Sequence, residues 1–185
     1  MNDLLLWTAF RSGDEKAFIS IFDRFSPPMF NYGCKISPES DLVKDSIQEL
    51  FIEIWQNRKR LGDTDSIKFY LFKSLRRKLL RTKDKLQNAL TDGFTNEDIA
   101  QVAPSHEFVL IAEQSSLERK RKVMRMLDQL SKRQQEVLFL RYFEELNCEQ
   151  IAAVMGIGRQ AVYNLIHHAI DELRKANRSL DAFVD

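Results

Sequence analysis

The stretch NCEQIAAVMGIGRQAVYNLIHHAIDELRKA, residues 147–176, decides the reading of this chain. Asn147 is a good N-cap for a helix over 148–155, which Gly156 ends. After a short turn through Ile157 and Gly158, a longer helix is predicted from Arg159 to about Ala176. A helix of about two turns, a glycine-containing turn and a longer second helix make a helix-turn-helix. At about 100° per residue, Ala161, Val162, Leu165, Ala169 and Leu173 gather on one side of the last helix. Gln160, Tyr163, Asn164 and His167 gather roughly opposite, with Arg159 adding charge at the helix start. Ile151, Ala152 and Met155, with Val154 nearby, are the expected core of the first helix. Amide, phenol and imidazole groups can hydrogen-bond base edges or phosphates, so the polar side is a candidate DNA-reading face. An ordinary hairpin would also carry a polar solvent face; the glycine turn and the close-packing Ala152 tip the reading toward DNA. A metal role for His167 and His168 is disfavoured, because adjacent helical residues diverge by about 100°.

Outward from this motif, the composition agrees with an all-α protein. Hydrophobic residues at 44% and charged residues at 30% describe a globular chain. The 6 Gly and 4 Pro mostly punctuate long stretches free of helix breakers. Ser131 and Gln134 have the capping-box spacing ahead of apolar 137, 138 and 140. Nearer the start, apolar residues at 17, 18, 21, 22, 25, 29 and 30 predict a helix interrupted by Pro27-Pro28. Ser40 or Asp41 is expected to cap a second helix reaching about Arg60. Asp65 or Ser66 should cap a third, apolar at 67, 69, 71, 72, 75, 79 and 80. The segment from Leu86 to about 118 is polar and weakly periodic, which suits a linker between two small helical domains, 1–85 and 119–185. A short amphipathic helix between Phe108 and Leu117 is the one element expected within it.

Charge is balanced overall, at +1, but unevenly placed. From Lys68 to Lys85 there are eight Lys or Arg and one acid, a candidate phosphate-binding surface or simply a solvated basic face. Cys34 and Cys148 are too few and too scattered for a disulfide scaffold or a zinc site. Three His, no Gly-rich phosphate loop and no clustered carboxylates assemble no enzyme site, and no cofactor or metal is expected. No segment approaches the roughly 20 apolar residues of a membrane span, and no basic leader precedes Leu4-Leu5-Leu6-Trp7, so a cytoplasmic location is expected.

The segment DSIQELFIEIW, residues 45–55, is the most specific in the chain. Val43, Ile47, Leu50, Phe51 and Ile54 form its core stripe. Asp45, Gln48, Glu49 and Gln56 face outward with Ile52 among them and Trp55 at the edge. An apolar residue inside a polar face fits either a protein-binding surface or a stray exposed Ile. This segment resembles region 2.2 of extracytoplasmic-function sigma factors of RNA polymerase. DEKAFISIFDRF at 14–25 resembles region 2.1 of that family, SIKFYLFKSLRRKLLR at 66–81 its regions 2.3 and 2.4, and LDQLSKRQQEVLFLRYFEELNCEQIAAVMGIGRQAVYNLIHHAIDELRK at 127–175 its region 4.

The resemblance implies that Asp45, Gln48, Glu49 and Ile52 dock on the β′ coiled coil of core polymerase, with the β flap as a further contact. It implies that Tyr70, Lys73, Arg76 and Arg77 lie at the −10 element and hold the unwound non-template strand. It implies that the last helix reads the −35 element through Arg159, Gln160, Tyr163, Asn164, His167 and His168. An anti-sigma factor is the regulatory partner it suggests. The chain departs from the family's usual Trp, Asn and Asp at Tyr70, Arg77 and Arg81, and from a frequent Arg at His168. The competing reading is a homodimeric helix-turn-helix regulator working on palindromic DNA without polymerase, though no dimerisation helix marks it.

Overall fold

The computed structural model describes residues 2–91, 123 and 126–181, with side chains over 2–84, at 123 and over 126–177. Among these residues every regular element is helical, as the sequence leads one to expect, and the chain divides into two compact units. The helix expected between 108 and 117, and the start of the second domain near 119, lie outside the described residues.

The first unit holds α1 (Asp3–Ser12), α2 (Glu15–Ile36), α3 (Ser40–Asn57) and α4 (Ile67–Thr91), with a 3-10 turn at Arg58–Arg60 after α3. Its centre is aromatic. Trp7 lies against Phe10 at 4.9 Å and Tyr70 at 5.2 Å between ring centroids, and Tyr32 stacks on Phe72 at 5.0 Å. Such rings remove large apolar areas from water and dominate a small core. All five residues of the anticipated α3 stripe, Val43, Ile47, Leu50, Phe51 and Ile54, are buried. Gly33 lets α2 and α3 close up, since a Cβ there would fall 2.4 Å from Val43 Cγ1.

Two expectations are corrected. The Pro pair does not interrupt α2, which runs through Pro27 and Pro28 unbroken. A proline inside a helix costs about 3 kcal/mol through its missing N–H and its ring. Here Phe25 before the pair, and Met29 and Tyr32 after it, are all buried in one core, and that packing holds the helix axis across the defect. The helix α1 was also not anticipated. Leu4 and Leu5 are exposed while Leu6, Trp7 and Phe10 are buried.

What fixes α1 is distant in sequence. Asp3 accepts a hydrogen bond from the Ile67 backbone N–H at 3.2 Å with one carboxylate oxygen and pairs with Arg24 at 3.1 Å through the other. Trp7 Nε1 donates to the Gly62 carbonyl at 2.9 Å, and Arg11 pairs with Asp63. Asp3 thus caps α4 from outside that helix, while Ser66 Oγ accepts from the Phe69 N–H at 3.2 Å, the local cap that was expected. Asp3→Ala should destabilise the first unit by about 1 kcal/mol, the usual worth of a helix N-cap. Both tryptophans, Trp7 and Trp55, sit in this unit, so denaturant unfolding followed by tryptophan fluorescence reads it selectively. Asp3→Asn, which keeps an acceptor, should recover most of the loss.

The second unit holds α5 (Lys132–Leu138), continued by a π-helical turn at Phe139–Phe143, then α6 (Cys148–Met155) as far as Ala152, and α7 (Arg159–Asp181). Both anticipated caps are complete capping boxes, Ser131 with Gln134 and Asn147 with Gln150. Gly156, at φ 67°, ends α6 in the left-handed conformation that favours glycine. Val162, Ala169 and Ala176 on α7 are buried, as are Ile151, Val154 and Met155 on α6, and Leu165 and Leu173 are partly covered. Ala161 is the exception to the expected stripe and is exposed. It lies about 100° from Val162 in the first turn of α7, and the stripe that packs runs through Val162 instead.

Candidate functional site

On α3, Asp45, Gln48 and Glu49 are exposed and Ile52 is 47% exposed, so the face anticipated from the helical wheel is open along its length. One border of this face is aromatic. Trp55 lies against Phe18 at 4.9 Å, Phe22 meets Phe51 at 4.9 Å, and the Arg58 guanidinium covers the Trp55 ring at 4.3 Å. The other border is ionic. Lys78 of α4 reaches Glu49 at 2.9 Å and Glu53 at 2.6 Å. Burial works to lower the Lys78 pKa, but its hydrogen bonds to Glu53 and Glu49 outweigh that and hold it above the ordinary lysine value. Two carboxylates around one ammonium leave this edge net negative.

On α4, Tyr70, Lys73 and Arg77 follow one another at i, i+3 and i+7 and so share a face. Tyr70 is half-buried on Trp7. Burial pushes its phenol above the ordinary value, against the lowering effects of a hydrogen bond to Ser74 and the charge of Arg77. Lys73 is exposed and lies 5.6 Å from the Phe69 ring centre, and Arg77 is exposed. Arg76 lies at the edge of this stripe, about 60° from Lys73 and about 100° from Arg77, and is only partly exposed. Lys78, though part of the same basic run, is committed to α3. That division of the run depends on which α4 residue faces Glu49 and Glu53, and only the packed structure reveals it.

On α7, Arg159, Gln160, Tyr163, Asn164, His167 and His168 are all exposed and occupy one half of the helix surface. They are linked in pairs one turn apart. Gln160 Nε2 donates to Asn164 Oδ1 at 3.1 Å, and an Arg159 N–H donates to Tyr163 Oη at 3.4 Å. His167 Nδ1 lies 3.1 Å from an Asp171 carboxylate oxygen. A second guanidinium nitrogen of Arg159 donates to Glu149 of α6 at 2.8 Å. The Tyr163 hydroxyl first, and the Glu149 charge with it, hold the Arg159 pKa above its ordinary value. Glu149 and Asp171 are the acids of this surface that the sequence reading missed; Asp171 was detectable as the i+4 partner of His167.

Among the described residues no group of three His, Cys, Asp or Glu is placed to hold a metal, and no helix is long and apolar enough to cross a membrane.

Residues 120–173 match the family model described as Sigma-70, region 4. A curated relative, the RNA polymerase sigma-F factor of Kitasatospora aureofaciens, is 36% identical over 66 residues, 36% of this chain. The match spans only 22% of that relative's length. Among solved structures, CnrH in complex with the cytosolic domain of CnrY is similar with a TM-score of 0.62 at 19% identity, over 98% of this chain and 99% of that one. The sigma factor RpoE of Bartonella quintana, solved with the anti-sigma factor NepR, gives 0.61 at 18% identity, over 89% and 96%. The family match falls mostly within the second unit, and the structural likeness extends the shared fold over nearly the whole chain.

Proposed function

We propose that this chain is a sigma-70 family member of the extracytoplasmic-function kind, the dissociable subunit that brings core RNA polymerase to specific promoters. The carrying observation is that the α3 face stays open and acidic while Lys73 and Arg77, on a second helix of the same unit, are exposed cations beside a half-buried Tyr70. One small unit can therefore hold a protein partner and a nucleic acid at once.

On this reading Asp45, Gln48, Glu49 and Ile52 take the polymerase β′ coiled coil. An apolar centre within a polar rim is the common composition of such interfaces. Tyr70, Lys73 and Arg77 hold the unwound strand of the −10 element, the cations neutralising phosphates and the ring offering a surface to an unpaired base. Arg76 contributes less, because it lies at the edge of that stripe and is partly covered. The α7 face, with Arg159, Gln160, Tyr163, Asn164, His167 and His168, reads the −35 element in the major groove, and the second unit meets the β flap. The chain supplies binding, and the chemistry of RNA synthesis stays with the polymerase. An anti-sigma factor that covers the α3 face would keep the protein inactive; the Bartonella relative was solved with such a partner. Core polymerase mixed with the purified chain should co-elute with it on gel filtration in a stoichiometric complex. Separate elution at micromolar concentrations of both would remove this reading.

A further inference from the structure

We infer that Glu149 is a selectivity residue of the DNA-reading surface, which neutralises Arg159 toward DNA of arbitrary sequence and aims it at the cognate site. The inference rests on the proposed reading role of α7. Arg159 is the first residue of α7, where side chains of a reading helix approach base edges and phosphates. It is exposed, yet its guanidinium is held from two sides, by Glu149 at 2.8 Å and by Tyr163 Oη at 3.4 Å, with its carbon 5.8 Å from the Tyr163 ring centre. Both holding groups are themselves exposed, with Glu149 at 72% of its side-chain area and Tyr163 at 45% of its surface. An exposed ion pair adds little to folding stability, so the pair's consequence is sought in binding.

Two effects follow from a carboxylate in that place. Nonspecific attraction to duplex DNA grows with the number of phosphates that cations neutralise, and a cation already paired with an acid contributes little to it. The carboxylate also stands beside the surface that phosphates must approach and repels them in any register. A guanidinium has five N–H donors, and two of its nitrogens serve Glu149 and Tyr163 here. Donors remain to contact DNA while the group is held. A held guanidinium can meet an acceptor at one position of a correctly docked duplex and gains little from an incorrect one. Specificity of this kind comes from penalising the wrong sequences as much as from contacts to the right one.

The test uses the full-length chain and a duplex library randomised over about ten base pairs, the span of one helical turn. Binding and sequencing identify the best duplex, and fluorescence anisotropy then compares it with a scrambled duplex across a salt series. Glu149→Gln should tighten binding to the scrambled duplex several-fold and steepen its salt dependence by about one unit, the slope of one added phosphate contact. Binding to the best duplex should change less, so the ratio between them falls several-fold. In an Arg159→Ala background the same Glu149→Gln change should keep only the smaller gain from relieving the carboxylate's own repulsion and should no longer steepen the salt dependence by the slope of an added contact. An unchanged ratio, or an equal gain on both duplexes, would overturn the role of Glu149. If Arg159→Ala alone alters binding to neither duplex, the DNA-reading assignment of Arg159 itself fails, and the two failures are thereby told apart.

Discussion

Core polymerase should bind the Gln48→Ala, Glu49→Lys double variant about 100-fold more weakly than the unaltered chain. Both side chains are exposed on α3, so the change touches the surface and leaves the core stripe alone. Reversing a charge inside a complementary interface sets like charges against each other, which costs several kcal/mol, and about 1.4 kcal/mol is a factor of ten. The fold should survive. Lys78 keeps Glu53 at 2.6 Å when Glu49 is gone, and because Glu49 itself is exposed, losing its half of the pairing should cost only about 1 kcal/mol of stability. Circular dichroism should match the parent while pull-down on core polymerase fails. Parent-like binding would show that the docking face lies elsewhere.

The second large effect is expected on α7. Gln160→Ala with Asn164→Ala should reduce discrimination between the best duplex and its single-base variants by about 10- to 1,000-fold. Each amide that pairs with a base edge supplies about 1–3 kcal/mol of selectivity. The loss should be confined to two or three adjacent positions of the site and should leave the salt dependence almost unchanged, because no cation is removed. Lys73→Ala with Arg77→Ala on α4 should behave oppositely, weakening all promoters alike and flattening the salt dependence. A uniform loss from the α7 pair would mean that Gln160 and Asn164 do not read bases.

Much of this surface was legible in the sequence because it depends on helical periodicity. The stripe from Val43 to Ile54 placed Asp45, Gln48, Glu49 and Ile52 outward without further information, and α3 is regular enough for the wheel to hold. The caps at Ser131, Asn147 and Gly156 are local signals, and each lies where it was expected. Features that depend on contacts far along the chain were not legible. The anchors of α1 lie 55 and 64 residues away, at Gly62 and Ile67, and a run such as Leu4-Leu5-Leu6-Trp7 does not by itself say which leucine is buried. Pro27-Pro28 reads locally as an interruption, and only the joint burial of Phe25, Met29 and Tyr32 shows why the helix continues. Lys78 and Glu149 were hidden for the same reason. Each looked like one more charge on a polar face, and each is held by a carboxylate or guanidinium of another helix.

The relation between the two units is functional as well as sequential. If one unit grips polymerase and the other reads the promoter, both activities must reside on one chain. Run-off transcription from a promoter fragment carrying the best α7 site tests that requirement most directly. Core polymerase with the unaltered chain should give a discrete transcript. The α3 double variant and the α7 double variant should each fail, and an equimolar mixture of the two should fail as well. A transcript restored by the mixture would contradict the account, as would tight binding of the chain to a palindromic duplex with no effect of polymerase at all.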